Sequence, residues 1–445
     1  MSKTFSIGGI HPADNKISLN SAIENFPLME VAYISLSQHL GAPAEPVVAK
    51  GDIVKTGQLI AKANGFISAN VHSSVSGSVV SIEQFPDLTG NLIQHIVIKV
   101  EGDDWVEDID RSTEIVREIK LSGPEIIAKI AECGVVGLGG AAFPTHIKLS
   151  PPPGKKAEYI IINGAECEPY LTSDYRIMLE KPEQIIIGTM IMMKALNVKK
   201  GFIGVENNKP KAIKKLKELC SKSYRGLKVV PLMKKYPQGG EKQLIEAILK
   251  REVPSMGLPI DTGVVVQNVG TALAVYEAVQ KNKPLFEGIV TVTGKCMTEQ
   301  RNFRMRVGTT FESVIFAVGG FPRDAEKLIS GGPMMGKAVS RIEASMVKST
   351  SSLLLLTESE TRRGEEGNCI RCAKCVEACP MGLEPFLLNR LSRSCRVEDL
   401  EANLVYDCIE CGSCMYSCPA NIPLLDTIRI SKAQVLKILR NRPKK

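Results

Sequence analysis

Two short cysteine-rich blocks near the C-terminal end limit what this 445-residue chain can fold into more than any other feature. They contain Cys369, Cys372, Cys375 and Cys379, followed by Cys408, Cys411, Cys414 and Cys418. Each block has the spacing Cys-x2-Cys-x2-Cys-x3-Cys-Pro, which is that of bacterial ferredoxins. The pattern therefore predicts two iron–sulfur clusters and a protein that moves single electrons.

The spacing also predicts which cysteines share a cluster. Three thiolates at intervals of three residues bind one cubane, while the fourth cysteine of the block binds the other cluster. We therefore expect one [4Fe–4S] cluster to be held by Cys369, Cys372, Cys375 and Cys418. We expect the second [4Fe–4S] cluster to be held by Cys408, Cys411, Cys414 and Cys379.

Zinc binding and disulfide bonds are the structural alternatives for these cysteines. Zinc sites usually pair two Cys-x-x-Cys units instead of using this longer run. Disulfides between cysteines only three residues apart would be strained. Outside the blocks, Cys133, Cys220 and Cys296 are expected to be buried apolar residues. Cys395 keeps neither spacing and is not expected to bind a cluster.

Composition limits the partners and the compartment. The chain has no run of the ~18 uninterrupted apolar residues that a membrane span requires. Its N-terminus, MSKTFSIGGIHP, lacks the apolar core of a signal peptide. With reduced thiols, these features predict a cytoplasmic protein. The net charge of +8 and the 5% aromatic content disfavour nucleic-acid binding. Basic segments are either solvated helix faces or a docking surface for acidic lipids or an acidic protein.

Hydrophobic patterning divides the chain into four predicted domains. Residues 1–115 have short apolar runs punctuated by glycine, which predicts a small barrel or sandwich resembling lipoyl-carrier domains. Residues 118–250 alternate helices and strands, which predicts a parallel α/β sheet with a ligand crevice at its carboxyl edge. Residues 255–345 are predicted to be α+β. Residues 355–445 contain the cysteine blocks and a basic C-terminal helix.

A glycine-rich loop, GVVGLGGAAFPTHIK, is the strongest candidate feature outside the cysteine blocks. It follows a predicted helix, whereas a dinucleotide fingerprint follows a strand. Gly137, Gly139 and Gly140 would let backbone N–H groups approach a ligand closely. Pro144 suits the first turn of a helix that faces an anion, and Lys148 would add a cation for a phosphate. Taken alone, the loop is either a phosphate site or a tight structural turn.

Polar residues follow the predicted strand YIIIN. Asn163, Glu166 and Glu168 lie where α/β folds bind ligands, although an acidic loop that caps a helix would have the same composition. The runs YPQGGE and QNVGT, which contain Glu241 and Asn268, likewise place glycine or amide residues just before predicted helices.

Together these segments resemble a known family. GLGGAAFPTHIK, INGAECEPYLTSDYR, YPQGGEKQL and QNVGTALAVYEAV are similar to the flavin-carrying, NADH-oxidising subunit of respiratory complex I. With GGIHP at residues 8–12 and two terminal ferredoxin motifs, the layout resembles the C subunit of Rnf electron-transport complexes. GIVTVTG resembles their soluble-ligand-binding β-grasp module. The resemblance implies a multidomain α/β and α+β protein with a barrel-sandwich module, a flavoprotein-like domain, a β-grasp module and an α-helical 2[4Fe–4S] domain.

The resemblance also implies a non-covalent FMN that accepts hydride from NADH. The residues that would hold the flavin phosphate and ribityl chain are Gly137, Gly139, Gly140 and Lys148. Those that would contact the flavin or the ribityl hydroxyls are Asn163, Glu166 and Asn268. Phe143 would lie near the nicotinamide nucleotide, and Glu241 would border its site.

Three residues depart from the complex I motif. Ala165 stands where that motif has a flavin-contacting aspartate, and His146 replaces a glycine. Cys167 occupies a serine position and is not expected to be catalytic.

The implied function is that of a peripheral subunit, on the cytoplasmic side of the cell membrane, of an ion-translocating ferredoxin:NAD oxidoreductase. Electrons would pass between NAD(H), FMN and two [4Fe–4S] clusters, and membrane-embedded partner proteins would pump Na⁺ or H⁺. The alternatives are a microcompartment-type cobalamin reductase, an NADH dehydrogenase component of a hydrogenase, and a non-catalytic scaffold resembling the A subunit of the sodium-pumping quinone reductase. The GGIHP module disfavours the first alternative, and the glycine loop and cluster motifs disfavour the scaffold.

Overall fold

A computed structural model describes residues 2–442 of the chain. Its N-terminal part is built from short strands: β1 (Ile23–Asn25), β2 (Val31–Ser35), β3 (Glu45–Pro46), β4 (Ile53–Val54), β5 (Leu59–Lys62), β6 (Val71–His72), β7 (Gly77–Pro86) and β8 (Leu92–Val100). Strands β2, β8, β7 and β4 form one antiparallel sheet, and β3, β5 and β6 form another. The buried side chains of Ile34, Ile60 and Ile98 share one core. The predicted barrel-sandwich module is confirmed.

The second part is a parallel α/β unit, as predicted. Its elements are α1 (Gly123–Glu132), α2 (Thr145–Lys148), β9 (Tyr159–Gly164), α3 (Ser173–Glu180), α4 (Pro182–Leu196), β10 (Lys200–Glu206), α5 (Pro210–Ser223), β11 (Leu227–Leu232), α6 (Glu241–Leu249), β12 (Val264–Asn268) and α7 (Val269–Lys281). The strand order is β11-β10-β9-β12, with every pair parallel. The strands are apolar on both faces, because helices cover both sides of such a sheet.

The α/β unit extends further along the chain than the sequence indicated. The predicted boundary lies at residue 250, whereas β12 pairs with β9 and α7 packs on α4. Residues 250–263 form a connection with the composition of a linker, in which the short 3-10 helix Pro259–Thr262 is the regular element. Pairing between strands about a hundred residues apart leaves no local sequence pattern. This boundary is therefore corrected to include residues 264–281. The other predicted limits remain predictions.

The third part is a mixed six-stranded sheet with one short helix. Its elements are β13 (Glu287–Thr293), β14 (Arg301–Arg306), α8 (Phe311–Ala317), β15 (Ala325–Ser330), β16 (Lys337–Ala338) and β17 (Ser352–Thr357). The strand order is β1-β14-β13-β17-β15-β16, so β1 joins this sheet from the N-terminal part of the chain. Strand β14 ends at Arg306, and residues 307–310 form the turn before α8.

The C-terminal part is helical. Its helices are α9 (Glu358–Thr361), α10 (Lys374–Glu377), α11 (Pro385–Arg393), α12 (Val397–Ala402), α13 (Ser413–Tyr416) and α14 (Leu424–Asn441). Short helices α10 and α13 begin at equivalent positions of the two cysteine blocks and contact each other. Helix α14 is the predicted basic C-terminal helix. Within residues 2–442, no helix is both long and apolar enough to cross a bilayer.

The first residues of the chain connect the α/β unit to the helical part. Lys3 exchanges backbone hydrogen bonds with Pro231 and Met233 beside β11. Ile10 and Tyr236 exchange two further backbone bonds of 2.8 Å each. The N–H of Gly9 donates to the carbonyl oxygen of Ala378 at 3.0 Å, next to a cysteine block. The GGIHP segment therefore connects the α/β unit to the helical part before the chain enters the barrel-sandwich module, and we call it the interdomain strap.

Candidate functional site

The glycine-rich loop lies at the carboxyl ends of β9 and β12, the two strands between which the strand order reverses. The chain runs from β9 outward to β10 and β11, and β12 returns to the other side of β9. Asn268 is the last residue of β12, and its register partner is Asn163, the penultimate residue of β9. A β-carbon on Gly139 would lie only 2.7 Å from Asn268 Nδ2. Open α/β sheets bind ligands at such a reversal of strand order, so this crevice is the candidate cofactor site.

The loop is closed by its own backbone. The N–H of Gly137 donates to the carbonyl oxygen of Phe143 at 2.9 Å, and the N–H of Leu138 donates to Thr271 Oγ1 at 2.9 Å. A β-carbon on Gly140 would meet no atom within 4 Å, so the loop apex is open. The sequence predicted a helix N-terminus facing an anion after Pro144. That helix is only one turn long.

Two residues that were predicted to serve different parts of the nucleotide site contact each other. Lys148 Nζ hydrogen-bonds to Glu241 Oε1 and also donates to the carbonyl oxygen of Val266 at 3.2 Å. Glu241 is the first residue of α6, and Phe143 is half-buried in the loop. Lys148 therefore lies beside the end of β12, with an acidic partner that was not anticipated.

Glu166 is held inside the protein instead of lining open space. Its side chain is 3% exposed, and its Oε1 accepts a hydrogen bond of 2.7 Å from the N–H of Asp174 at the start of α3. This is the helix-capping alternative raised by the sequence. Asn163 Oδ1 accepts from the N–H of Ala165, and its Nδ2 donates to the carbonyl oxygen of Gly239 at 2.8 Å.

Buried charges behind the crevice were not anticipated from the sequence. Lys16 Nζ donates to three carbonyl oxygens, those of Glu166, Glu168 and Leu171. Lys209 Nζ donates to the carbonyl oxygen of Ala165 at 2.7 Å and to Glu206 Oε2 at 3.2 Å. Both lysines come from distant segments without a motif, so no sequence signal could have placed them here. They stabilise the polar turn that follows β9, since buried carbonyl groups need donors.

Asp174 connects this charge network to the crevice. Its Oδ2 accepts a hydrogen bond of 2.7 Å from Asn268 Nδ2. Burial raises the pKa of the Asp174 carboxyl to about 7, and the nearby carboxylate of Glu166 adds to the increase. Asn268 Oδ1 accepts from the N–H of Gly270 and so caps α7. The amide of Asn268 is thus fixed from both sides.

Replacing Asp174 by asparagine should flatten the pH dependence of stability. The folded carboxyl is protonated below about pH 7, whereas in the unfolded chain it ionises near its ordinary value of 3.8. The protonated carboxyl therefore stabilises the fold at low pH, and this stabilisation is lost as pH rises through 7. Between the two pKa values the free energy of unfolding falls with pH, with a slope approaching about 1.4 kcal/mol per pH unit. The free energy of unfolding of Asp174→Asn, measured with urea between about pH 4.5 and pH 7, should lack this pH dependence. The exposed Asp108→Asn should retain the wild-type slope, and an unchanged slope in Asp174→Asn would contradict the assignment.

Four cysteines surround one cavity in the helical part. They are the set that the spacing assigns to one cluster, namely Cys379, Cys408, Cys411 and Cys414, and we call their cavity the covered site. Apolar residues such as Leu388 and Ile428 complete its wall. Within residues 2–442, no three His, Cys, Asp or Glu side chains converge closely enough for a single metal ion. Four thiols around a wider cavity suit a polynuclear cluster.

The other four block cysteines form what we call the open site, consisting of Cys369, Cys372, Cys375 and Cys418. Burial raises the pKa of the Cys375 thiol, and the neighbouring Cys418 thiol raises it further, so these residues of different blocks lie close together. Cys369 and Cys372 are exposed. The open site therefore faces solvent, whereas Cys379 and Cys411 are buried.

Both cysteine blocks have the same local backbone. Positive φ values occur at Arg371 and Ala373 in the first block and at Glu410 and Gly412 in the second. Left-handed residues at equivalent positions bend the chain around a centre and turn N–H groups toward it. One such contact is the N–H of Glu410 on Cys408 Sγ at 3.4 Å. Both segments thus have a fold that suits cubane binding.

The remaining cysteines mostly follow expectation. Cys133 and Cys220 are buried, whereas Cys296 is only half-buried because it lies at the edge of the β-grasp core. Cys395 is exposed. Cys167 Sγ accepts from the N–H of Gly239 at 3.4 Å, and burial raises the pKa of its thiol to about 12, so it is unsuited to nucleophilic chemistry.

Family models match the four parts in order. The RnfC barrel sandwich hybrid domain matches residues 3–103, and the Nuo51 FMN-binding domain matches residues 130–277. The SLBB domain matches residues 289–338, and the 4Fe-4S binding domain matches residues 366–382 and 406–421. The FMN-binding model thus includes the glycine-rich loop together with β9 and β12.

Curated relatives match nearly the whole chain. The C subunit of the proton-translocating ferredoxin:NAD(+) oxidoreductase complex of Clostridium ljungdahlii is 49% identical over 88% of this chain and 85% of its own. The C subunit of the Na(+)-translocating complex of Acetobacterium woodii is 43% identical over 96% of each chain. The C subunit of the ion-translocating oxidoreductase complex of Rhodobacter capsulatus is 41% identical over 97% of this chain and 84% of its own.

The chain belongs to the RnfC family. Family membership confirms the predicted domain types and the cofactor classes, FMN and [4Fe–4S] clusters. A solved NAD+-reducing [NiFe]-hydrogenase superimposes with a TM-score of 0.49 at 16% identity, covering 73% of this chain and 68% of that chain.

Proposed function

We propose that this RnfC protein is the NAD(H)-reactive subunit of an ion-translocating ferredoxin:NAD oxidoreductase. Electrons pass between NAD(H), FMN and two [4Fe–4S] clusters, and transport of Na⁺ or H⁺ takes place in membrane-embedded partner proteins. The names of the relatives support the reaction, the ion translocation and the partner subunits of a complex. The protein is assigned to the cytoplasmic face of the membrane, where NAD(H) is available.

The residues of the crevice suit a flavin mononucleotide. A β-carbon on Gly139 would fill the space beside Asn268, while the apex at Gly140 is open. We propose that the loop N–H groups bind the flavin phosphate and that Asn163 and Asn268 contact the flavin or its ribityl hydroxyls. When bound, FMN converts a two-electron hydride transfer into single-electron steps.

Other predicted residues keep their roles as proposals. Lys148 supplies a cation at the end of β12, and Glu241 limits its movement through their hydrogen bond. Phe143 supplies an apolar surface for the nicotinamide nucleotide. Glu166 acts by capping α3, through which it keeps Asp174 beside Asn268.

One observation carries the proposal: the flavin crevice and a cysteine site are connected within a single chain. Asn163 Nδ2 donates to the carbonyl oxygen of Gly239, three residues after Tyr236. Tyr236 Oη in turn donates to the carbonyl oxygen of Cys411 at 2.8 Å. A crevice for a hydride acceptor thus adjoins a site for a one-electron carrier.

An anaerobic titration with NADH tests the function. Protein reconstituted with iron, sulfide and FMN should lose both the flavin absorbance and the broad cluster absorbance as NADH is added. The same protein prepared without FMN should keep its cluster absorbance when NADH is added, because the clusters cannot divide a hydride into single electrons. Clusters that assemble without flavin or NADH binding would instead support the scaffold alternative.

A further inference from the structure

Asp174 is a carboxyl of the network behind the crevice that has no cation of its own. The buried lysines of this network already have carboxylate partners, in the pairs Lys16–Glu166 at 3.8 Å and Lys209–Glu206 at 3.2 Å. Asp174 Oδ2 is bonded instead to a neutral amide, that of Asn268, at 2.7 Å. An ionised carboxylate is costly in buried surroundings unless a cation is paired with it. The charge of Asp174 is therefore the least supported charge of the network.

A single side chain, that of Asn268, joins Asp174 to the crevice. Asn268 Nδ2 has two N–H groups, and within residues 2–442 only one of them is used, on Asp174. The same nitrogen borders the glycine-rich loop, since a β-carbon on Gly139 would lie 2.7 Å from it. Its free N–H is thus available to a ligand in the crevice. A charge on that ligand would lie one side chain away from Asp174.

The second oxygen of Asp174 can accept a proton from solvent. Oδ1 makes no hydrogen bond within the part of the chain that the structure describes. It is also absent from the fully buried polar atoms that lack a partner, and Asp174 as a whole is half-buried. Oδ1 is therefore the oxygen at which this carboxyl gains and loses its proton.

The groups that face Asp174 decide when it holds this proton. They are Glu166 in the turn after β9, Lys209 before α5, Lys16 in the N-terminal segment, neutral Asn268 before α7 and, along α3 itself, the Arg176–Glu180 ion pair. Burial, and then the like charge of Glu166, raise the pKa of Asp174 to about 7. Any further negative charge in the crevice would raise this pKa again, because a like charge disfavours the ionised form.

We propose that Asp174 takes up one proton when the flavin in the crevice is reduced and releases it when the flavin is oxidised. The inference rests on the proposed function, since it requires FMN beside Asn268. Hydride brings two electrons and one proton, and so leaves one additional negative charge in the crevice. The second proton comes from solvent and binds Asp174 Oδ1, which converts the carboxylate to the acid. Asp174 acts through Asn268 and does not itself touch the flavin.

The midpoint potential of the bound FMN, measured against pH, counts these protons. Full-length protein with FMN and both clusters is titrated anaerobically between about pH 6 and pH 9, and FMN-free protein gives the cluster background. One proton taken up with two electrons lowers the potential by about 30 mV per pH unit, and two protons lower it by about 59 mV. Above about pH 7, wild type should approach the two-proton slope and Asp174→Asn should keep the one-proton slope.

The difference between the two proteins should disappear at low pH. Below about pH 6, Asp174 is protonated in both flavin states, so it takes up no proton on reduction and the two slopes should coincide. Asp174→Asn keeps an oxygen that can accept from Asn268, and its FMN content should match that of wild type. A purely structural role for Asp174 would not change the proton count. Equal slopes above about pH 7 would therefore overturn the inference.

Glu168→Gln is the matched comparison, because burial raises the pKa of the Glu168 carboxyl to about 7 as well. Its oxygens accept from the N–H groups of Met334 at 3.1 Å and Met335 at 2.8 Å, in the β-grasp module. Glu168→Gln should therefore keep the two-proton slope. A one-proton slope in Glu168→Gln together with a two-proton slope in Asp174→Asn would place the proton on Glu168 and overturn the inference.

Infrared difference spectroscopy of the wild type gives an independent measurement that needs no variant. Reduction at about pH 8 should produce the C=O band of a protonated carboxyl, shifted in D₂O, and absence of this band would overturn the inference even if Asp174→Asn fails to fold. A wild-type protein that binds no FMN would contradict the proposed function. One that binds FMN but takes up a single proton per two electrons above about pH 7 would contradict this inference alone.

Discussion

Cys379→Ala is expected to destroy the cluster of the other cysteine block and to spare the cluster of its own block. Cys379 follows the first block's three closely spaced cysteines in sequence, yet it lines the covered site with Cys408, Cys411 and Cys414. A cubane that loses one of four thiolates in a largely apolar cavity loses much of its binding energy, since ligation and folding are coupled. Iron content should fall from about eight to about four per chain.

Alkylation mapping of the iron-containing protein measures which thiols are freed. In Cys379→Ala, iodoacetamide should label the remaining covered-site cysteines and spare Cys369, Cys372 and Cys375. The reciprocal variant Cys418→Ala should give the opposite pattern. Cys395→Ala, at an exposed cysteine outside both sites, should keep about eight irons. Labelling of the first block in Cys379→Ala would show that each block binds its own cluster.

Gly139→Val is expected to weaken FMN binding severely. A β-carbon at this position would lie 2.7 Å from Asn268 Nδ2 and 2.9 Å from Asn268 Cβ. Asn268 cannot withdraw easily, because it bonds to both Gly270 and Asp174. The loop must therefore move away from the crevice. A loss of about 2 kcal/mol of binding free energy corresponds to a roughly thirtyfold higher Kd.

Gly140→Ala is the matched control, since neither glycine has a positive φ and a β-carbon on Gly140 would touch no protein atom within 4 Å. FMN fluorescence quenching gives the Kd of FMN for each protein, and the Tm of the FMN-free form reports the thermal stability of the protein alone. Gly140→Ala should leave that Tm unchanged, whereas Gly139→Val should lower it. If Gly139→Val binds FMN as tightly as wild type, the flavin does not bind in this crevice.

Much of the fold was predictable because its signals are local. Helices α5 and α6 have apolar residues at helical spacing, and strands β9, β10 and β11 are short apolar runs between helices. The barrel-sandwich module follows from short apolar runs between glycines. β17, in contrast, is a central strand of the third sheet that no sequence pattern predicted. Its apolar run SLLLL is equally compatible with a strand or a helix when the neighbouring strands of the sheet are unknown.

The site was predictable to a smaller extent. Asn163 and Asn268 were identified from motif resemblance, and the structure makes them register partners. Glu166 was predicted to contact the flavin, which stays a prediction, and its carboxylate also accepts from the N–H of Asp174 at the start of α3. Lys16 and Asp174 were not anticipated, because the bond from Lys16 to Glu166 joins residues 150 positions apart. A buried ion network depends on packing between distant segments, which a local pattern does not contain.

The sequence by itself determined that the chain has two cubane-type cysteine sets, and the resemblance to a known family indicated a flavin at the glycine loop. The cysteine sets depend on residue spacing within a few positions, and backbone geometry at that range follows directly from sequence. Only the tertiary structure decided that one cysteine set is covered and the other open. That difference arises from the contact of Tyr236 with Cys411, across 175 residues, and from the strap that Gly9 adds. Docking of distant surfaces is a property of the packed chain, and neither motif contains it.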